Sequence, residues 1–397
     1  LINQIPTSNL TAYEFYQKGN DELLKYLENR TNKEALERAE DLYRYALEYD
    51  STFANAYTKL GRVHVAKHFY RDYFSEDFMD SLLILKDIAL SYDEQLAEAY
   101  LLQAFYYYAN GNPEEALISC DLALDFNPNY SDVLIRKGYI LTRVFNDYVK
   151  GIESYEKAIA RHKGDDLAEL LGFVGRAYLD VGFIEKAKHY NQEVFELTGD
   201  SSHYYSKMAW LELCVGNSEQ ANKYREIAYR IDSTNFMGDF YQSFEGQRDE
   251  AEHEYEKYIE YLNRTGKLPL QYAYRIAYAL WNAGRIEEAD HYFKEQIKYS
   301  EESIRLGRSI ASTLVAHYDL AAVYAFLGDS LNAYHYLDEI SSRNKLQLWL
   351  ISFINNDPLF DSLRDEERFQ NIVQDMEVKY QAEHERVRKW LEENDML

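Results

Sequence analysis

Two histidines and two pairs of glutamates are the side chains whose spacing could support chemistry. His64 and His68 are four residues apart, so a helix would place both imidazoles on one face at a spacing that suits a zinc ion. We find no third ligand nearby and interpret both as core or surface histidines. Glu114-Glu115 and Glu287-Glu288 could act as acid and base, but each pair follows a turn, where carboxylates stabilise a helix N-terminus.

The sequence motifs of the common catalytic sites are missing. The sequence contains no phosphate-binding glycine loop, no HExxH, no GxSxG and no Cys-x-x-Cys. Cys120 and Cys214 are several helices apart, whereas a disulfide tolerates a Cα separation of roughly 7 Å, so we expect both to be reduced helix residues. The sequence therefore predicts a protein that is not an enzyme and that uses no cofactor and no metal.

Composition favours an all-α protein with a protein partner. Only 5 prolines and 17 glycines interrupt periodic runs rich in Ala, Leu, Glu, Lys and Tyr, and strand patterns are absent. The 43 Lys and Arg residues are outnumbered by 68 Asp and Glu, and this charge of −25 disfavours binding to nucleic acids or anionic membranes.

The longest nearly apolar run, Leu346 to Ile354, is too short to cross a membrane, since a spanning helix needs about 20 residues. We expect it to form a terminal helix packed on the rest, with no membrane insertion. Residue 1 is not Met and no signal peptide follows it, so the chain looks like a fragment or a processed protein. The cytoplasm is the favoured compartment, with the periplasm as the alternative.

Small residues recur in pairs at a constant offset of 12 residues. The pairs are Ala104 with Ala116, Gly175 with Ala187, Ala209 with Ala221, Ala277 with Ala289, and Ala321 with Ala333; Gly138 and Gly151 miss the offset by one. Small residues allow two helices to cross closely. A glycine lies five residues before the second member of each of the five pairs, where a left-handed residue can end the first helix: Gly111, Gly182, Gly216, Gly284 and Gly328.

This unit resembles the tetratricopeptide repeat, a family whose repeats have about 34 residues. The residues that match its pattern are Tyr100, Ala104, Tyr107, Gly111, Ala116, Ala123 and Pro128. The match is strong over residues 97 to 232 and looser over 53 to 93, 234 to 262, 269 to 298 and 313 to 342. The resemblance implies a right-handed superhelical solenoid of about nine antiparallel helix pairs with a C-terminal capping helix.

We expect three regions. Residues 1–52 form an irregular helix pair, residues 53–344 the repeat array, and residues 345–397 the capping helices. The stretches IPTSNLTAYEFYQKGN and NDPLFDSLRDEERFQ resemble the flanks of repeat regions that follow cyclase-like or helix-turn-helix DNA-binding domains in bacterial regulators. This second resemblance implies a sensor or scaffold within bacterial signalling or transcription regulation.

In the repeat family the first helix of each pair lines a concave groove. The lining positions are one residue after the small residue and three or four residues further on. They hold Arg62, Phe105, Tyr108, Tyr139, Arg143, Arg176, Trp210, Tyr278 and Trp281. Aromatic side chains and arginine are enriched where proteins bind each other, so we expect a peptide or protein segment as the ligand. The Lys and Asn residues of the subclass that clamps a chaperone's terminal carboxylate are not found at these positions.

The sequence also allows other interpretations. With 38 tyrosines, many aromatic residues could serve packing between helices rather than a ligand. Stacked Tyr and Trp also suit sugars, which makes a glycan-binding or glycan-cleaving helical protein the alternative. A homo-oligomer is compatible with the peptide hypothesis.

Overall fold

The computed structural model describes residues 7–28, 32–69, 78–161, 167–232, 273–305 and 313–397. All regular structure within these ranges is helical, which confirms the predicted all-α class. The loosely matched repeat at residues 234 to 262 lies outside them. The chain divides into two compact units, Leu1–Ile140 and Leu141–Leu397, referred to as unit 1 and unit 2.

The helices come in consecutive pairs. Unit 1 contains α1 (Leu10–Glu28), α2 (Lys33–Tyr49), α3 (Ala54–Phe69), α4 (Met79–Tyr92), α5 (Ala97–Ala109) and α6 (Pro113–Phe126), and the unit boundary falls within α7 (Ser131–Arg143). Unit 2 contains α8 (Tyr148–Ile159), α9 (Leu167–Asp180), α10 (Ile184–Thr198), α11 (Ser201–Cys214), α12 (Ser218–Ile231), α13 (Ala273–Asn282), α14 (Ile286–Arg305), α15 (Val315–Phe326), α16 (Ser330–Ser341), α17 (Leu348–Asn356), a 3-10 turn (Pro358–Phe360) and α18 (Glu367–Glu393).

The turns between paired helices share one geometry. The five predicted turn glycines all have a positive φ, between 73° and 82°. In the α9–α10 turn the N–H of Gly182 donates to the carbonyl of Leu179, and the N–H of Phe183 donates to the carbonyl of Tyr178, both at 2.9 Å. The other four turns repeat this pattern. These bonds satisfy carbonyls that the end of the first helix would leave unpaired.

Small residues lie where the paired helices cross. At the crossing of α9 and α10, a Cβ added to Gly175 would lie 3.1 Å from the Cβ of Tyr190 and 3.6 Å from the carbonyl oxygen of Ala187. The alanines of the four Ala–Ala pairs are at most 2 % exposed. A larger side chain at these positions would force the backbones apart.

The pair α7–α8 explains the one exception to the offset. Asn146 takes the left-handed position there, with φ 48°, and it lies five residues before Gly151, as the glycines do in the other turns. The N–H of Asp147 reaches back six residues, to the carbonyl of Leu141, at 2.8 Å. The turn therefore holds one extra residue on the side of α7, which lengthens the offset by one. Asn is among the few non-glycine residues that tolerate this conformation.

The apolar run near the C-terminus packs inside unit 2, as expected. Within α17 the buried side chains are Trp349, Leu350, Ile351, Phe353 and Ile354. The helix contacts α9 and α11. The rings of Trp349 and Phe353 lie 5.6 and 6.0 Å from the ring of Tyr318 on α15.

An ion pair anchors the segment after α17. Asp357 is fully buried, and its carboxylate accepts hydrogen bonds from the guanidinium of Arg275 on α13 and from the hydroxyl of Tyr318. It also accepts from the N–H of Leu359, at 3.1 Å, at the start of the 3-10 turn. A buried charge requires such partners.

Helix α18 lies along the second half of the chain and contacts α16 and α8. Its apolar face includes Met376, Tyr380 and Val387, and the opposite face is polar. At the α9–α10 turn His384 shares a hydrogen bond of 2.7 Å with the carbonyl of Val181. None of the helices in the described ranges is long and apolar enough to span a bilayer.

Candidate functional site

Four of the predicted lining residues meet in unit 1, on the first helices of three successive pairs. Arg62 lies on α3, Phe105 and Tyr108 on α5, and Tyr139 on α7. The guanidinium of Arg62 lies 5.1 Å from the ring centroid of Phe105. The rings of Tyr108 and Tyr139 are 5.8 Å apart and nearly perpendicular, at 82°.

Arg136 lies at the centre of this group, although it is not among the lining residues that the sequence predicts. Its guanidinium carbon is 4.1 Å from the ring centroid of Phe105, 5.3 Å from that of Tyr139 and 5.7 Å from that of Tyr108. Arg136 precedes Tyr139 by three residues, so both point from the same face of α7. We call Arg62, Phe105, Tyr108, Arg136 and Tyr139 the Arg136 site.

The guanidinium of Arg136 has no carboxylate partner within the described ranges, and its Nε is buried without a hydrogen bond there. Burial and the positive charge of Arg62 lower the pKa of Arg136, although the tyrosine hydroxyls act in the other direction. The three rings attract the cation, since the face of an aromatic ring carries partial negative charge. The ring faces give its Nε–H no hydrogen-bond acceptor, and a carboxylate brought by a ligand would supply both an acceptor and a counter-charge to the guanidinium.

Other charged groups around the Arg136 site are closer to balance. Arg62 Nη2 lies 3.5 Å from Asp132 Oδ2. Lys59 and Glu98 are partly exposed neighbours of this ion pair. Burial and Arg62 lower the pKa of Lys59, and burial raises the pKa of Glu98. Three cations with Arg136 included thus face two carboxylates, which leaves an excess of positive charge.

Three further lining residues meet in unit 2 around one buried carboxylate. Asp180 on α9 is 1 % exposed and accepts from Arg143 Nη1 and from Arg176 Nε, both at 2.8 Å. The guanidinium of Arg176 lies 4.9 Å from the ring centroid of Trp210 on α11. The ring of Trp210 also packs on Phe353 of α17, at 5.4 Å.

The last two lining residues, Tyr278 and Trp281, lie apart from these groups. Both rings pack against Phe326 on α15, at 5.4 and 5.3 Å. Tyr278 is 8 % exposed and Trp281 is 39 % exposed. The structure therefore gives Tyr278 a packing role and leaves part of Trp281 open to solvent.

The histidine singled out from the sequence has a different setting. His64 Nδ1 lies 2.6 Å from Ser81 Oγ, and its Nε2 lies 3.5 Å from a carboxylate oxygen of Glu40. Ser, His and Glu in this order resemble a hydrolase triad, but the single proton of the Ser81 hydroxyl points at the carbonyl of Phe78. His64 must then donate to Ser81, so it cannot act as the base that a nucleophilic serine requires.

Glu40 is occupied as well, because it also accepts from Lys67 and Arg44. These contacts, with that of His64 first, lower the pKa of Glu40. No group of three or more potential metal ligands is found in the part of the chain that the structure describes. The arrangement ties α2, α3 and α4 together.

Comparisons with known proteins agree with the repeated turn and crossing geometry. The model of the tetratricopeptide repeat family matches residues 97–130 and 270–303. No curated protein matches the sequence.

Several solved structures are similar to the chain. The Cut9–Hcn1 hetero-tetramer of the APC/C has a TM-score of 0.45 and 12 % identity, over 94 % of this chain and 56 % of that one. A thermophilic tetratricopeptide repeat protein of Thermus thermophilus has a TM-score of 0.41 and 17 % identity, over 50 % of this chain and 98 % of that one. A tetratricopeptide repeat protein from Parabacteroides merdae has a TM-score of 0.38 and 14 % identity, over 77 % of this chain and 99 % of that one. At these TM-scores the similarities say nothing about a ligand.

Two matched repeats, the recurring left-handed turn and the small residues at the helix crossings all belong to one pattern. The chain therefore contains tetratricopeptide repeats at residues 97–130 and 270–303, and proteins with this repeat generally mediate protein–protein interaction.

Proposed function

We propose that the chain is a non-catalytic protein-binding module whose ligand is a segment carrying a carboxylate that reaches Arg136. The observation that carries this proposal is the guanidinium held by three aromatic rings with no carboxylate partner in the described ranges. Burying an arginine costs free energy unless an acceptor is supplied, so this arrangement is better explained by binding than by stability.

The chain itself contains an example of the interaction. Arg275 lies two residues before the small residue Ala277, and Arg136 lies two residues before Gly138. Arg275 binds the carboxylate of Asp357, which belongs to the segment that follows α17. In unit 2, therefore, an arginine at this repeat position already binds an acidic residue from another segment. We infer that Arg136 does the same with a partner.

The aromatic rings provide the rest of the recognition. Phe105, Tyr108 and Tyr139 present large contact surfaces with few rotatable bonds, which limits the entropy lost on binding. A bidentate bond between a guanidinium and a carboxylate adds direction. The preferred segment thus carries Asp, Glu or a terminal carboxylate next to apolar side chains.

The proposal is tested with the full chain and an array of short peptides. Each acidic peptide is paired with its amide counterpart, Asp with Asn, Glu with Gln and the free C-terminus with the amidated one. We expect the best binders to lose about tenfold or more in affinity on amidation, because hydrogen bonds between charged groups are stronger than neutral ones. Arg136→Met should abolish the preference for the acid.

Arg38→Met is the matched control, since Arg38 is a half-exposed arginine of unit 1 paired with Glu22 on the surface. It should bind as the natural chain does. Arg136→Met should also keep the thermal stability, because it removes a buried charge without a counter-charge. The proposal is contradicted if Arg136→Met keeps the natural chain's preference for acidic peptides, whether or not the variant is less stable.

We further propose that this module is the sensor arm of a larger bacterial signalling or transcription regulator. The support is the resemblance of IPTSNLTAYEFYQKGN and NDPLFDSLRDEERFQ to the flanks of repeat regions in such proteins. The test is the reading frame upstream of Leu1. A DNA-binding or cyclase domain encoded there is expected, and a frame without either one contradicts this role.

A further inference from the structure

The edge of unit 1 opposite the helix turns carries a regular series of stacked aromatic rings. In each of the first three helix pairs, a ring in the first half of the first helix stacks on the last residue of the second helix. The ring pairs are Phe15 with Tyr49, Tyr57 with Tyr92, and Tyr100 with Phe126. Their centroids are 5.5, 6.3 and 5.3 Å apart, and their planes differ by 16°, 18° and 20°. We call the three pairs the aromatic ladder and each pair a rung.

The rungs lie in line because the first helices of successive pairs run in the same direction. Helix α1 contacts α3, and α3 contacts α5. The inner rings Phe15, Tyr57 and Tyr100 each lie four residues before a small residue, at Gly19, Gly61 and Ala104. Helices in direct contact have axes about 8–10 Å apart, so successive rungs are separated by roughly 10 Å. A ligand that touches all three rungs needs the same repeat.

The outer ring of each rung is more exposed than helix packing requires. Tyr49, Tyr92 and Phe126 are 54 %, 49 % and 43 % exposed. In unit 2 the second helices α8, α10 and α12 end instead at Ile159, Thr198 and Ile231. The turn and crossing geometry of the repeat is thus built without an aromatic residue at this position. The ladder is a feature of unit 1 that the repeat itself does not explain.

Acidic residues accompany every rung. Glu48 and Asp50 flank Tyr49, Asp93 and Glu94 follow Tyr92, and Asp125 precedes Phe126. All of these carboxylates except that of Asp50 belong to exposed residues. The ammonium of Lys18 lies 5.6 Å from the ring centroid of Phe15, so a ring of the first rung already attracts a cation. Ring faces and carboxylates in one row favour a positively charged ligand.

We propose that the aromatic ladder binds a proline-rich segment in the polyproline II conformation that carries Arg or Lys. This helix has three residues per turn and rises about 9 Å per turn, which matches the separation of the rungs. Aromatic rings accept proline side chains on their faces, and the segment loses little entropy because its conformation is formed before binding. The hydroxyls of Tyr49 and Tyr92 can donate to its backbone carbonyls, which have no partners inside such a helix.

The polar groups beside the rungs favour a peptide over a sugar chain. The carboxylate of Asp93 accepts from the N–H of Gln95 at 3.0 Å, and that of Asp50 accepts from the hydroxyls of Thr7 and Thr52. Specific binding of a sugar chain needs polar side chains that fix its hydroxyl groups. Because these donors are neutral, both carboxylates keep the charge that attracts a basic segment.

The test is fluorescence anisotropy of labelled peptides with the full chain at low salt. Four repeats of Pro-Pro-Arg are compared with four of Gly-Ser-Arg, which keep the charge without the conformation, and with four of Pro-Pro-Glu, which reverse the charge. We expect Pro-Pro-Arg to bind about tenfold or more tightly than either. An unlabelled glucose oligosaccharide is the competitor, and we expect it not to displace the peptide.

Variants identify the surface. Tyr92→Ala and Phe126→Ala should each weaken binding of Pro-Pro-Arg about tenfold, with folding checked by thermal unfolding. Ile84→Ala is the matched control, because Ile84 is 61 % exposed on the same helix as Tyr92 and lies outside the ladder. Arg136→Met should bind Pro-Pro-Arg as the natural chain does, so this proposal and that of the Arg136 site can fail separately.

Three results would overturn the proposal. The first is binding of Gly-Ser-Arg or Pro-Pro-Glu as tight as that of Pro-Pro-Arg. The second is equal affinity of Tyr92→Ala and Ile84→Ala for Pro-Pro-Arg. The third is displacement of the peptide by the oligosaccharide, which would assign the ladder to a sugar chain.

Discussion

Asp357→Asn is the substitution whose effect follows most directly from the geometry. In the natural chain Arg275 is 2 % exposed and Asp357 fully buried, and the two are joined by an ion pair that Tyr318 also contacts. The amide removes the negative charge that neutralises the buried guanidinium of Arg275 in this pair. Breaking a buried pair on one side costs about 3–5 kcal/mol. For a unit of this size the melting temperature should fall by on the order of 10 °C.

The tryptophans make the measurement specific for unit 2. The four tryptophans of the chain are Trp210, Trp281, Trp349 and Trp390, all of which follow the unit boundary at residue 141. Urea unfolding followed by tryptophan emission therefore reports unit 2. Asp361→Asn serves as the control, because Asp361 is 66 % exposed in its pair with Arg364 and should change the free energy of unfolding by less than about 1 kcal/mol.

The double variant Arg275→Met with Asp357→Asn separates a lost pair from a damaged core. With both charges gone, no unpaired charge is left, so the double variant should be more stable than Asp357→Asn alone. If Asp357→Asn alone lowers the free energy of unfolding by less than about 1 kcal/mol, the ion pair does not anchor the C-terminal segment and the reasoning fails.

Two further predictions concern single positions. Burial raises the pKa of Asp319 well above its ordinary value. Its protonated form therefore stabilises the fold fully below about pH 3.9, and this contribution is lost as the pH rises through the folded-state pKa. Asp319→Asn should gain stability relative to the natural chain as the pH increases, and a constant difference in stability between pH 5 and 8 would contradict this. Gly111→Ala should cost about 1 kcal/mol from the left-handed backbone alone. Gly182→Ala should cost more when the two variants are compared by thermal unfolding, because its Cβ would clash with the Tyr380 hydroxyl, and equal losses would refute the contact with α18.

Local features of the fold could be predicted because each depends on a few neighbouring residues. The turn glycines end one helix through bonds that reach back at most five residues, so their spacing alone predicts the left-handed backbone. The small residues at offset 12 are linked to those turns by the same short stretch. Asn146 follows the same rule: it is left-handed and lies five residues before Gly151, and the extra residue of this turn is added before it.

The position of the C-terminal segment could not be predicted in this way. The apolar run from Leu346 indicates a buried helix but not which surface buries it. Its bond from Ser352 to Leu213 joins residues 139 apart in sequence. Such a contact depends on the shape of helices already packed, and no local spacing carries that information.

The predicted lining positions leave out one position on the same helical face. They began one residue after each small residue, yet the position three residues earlier lies on the same helical face. That position holds a charged residue in several helix pairs: Lys59, Arg136, Lys207, Arg275 and Asp319. A search for charge two residues before each small residue would have found the centre of the Arg136 site from the sequence.

These residues differ in what covers them. Arg275 and Asp319 are almost fully buried, and Arg275 is neutralised by Asp357. Arg136 and Lys207 keep contact with solvent and have no carboxylate partner in the described ranges. If the charged residue two positions before the small residue served only to stabilise helix packing, its charge would be balanced inside the chain in every helix pair. At Arg275 the charge is balanced by Asp357 within the chain, whereas Arg136 has no carboxylate partner in the described ranges, so Arg136 is the position at which a partner's negative charge is expected.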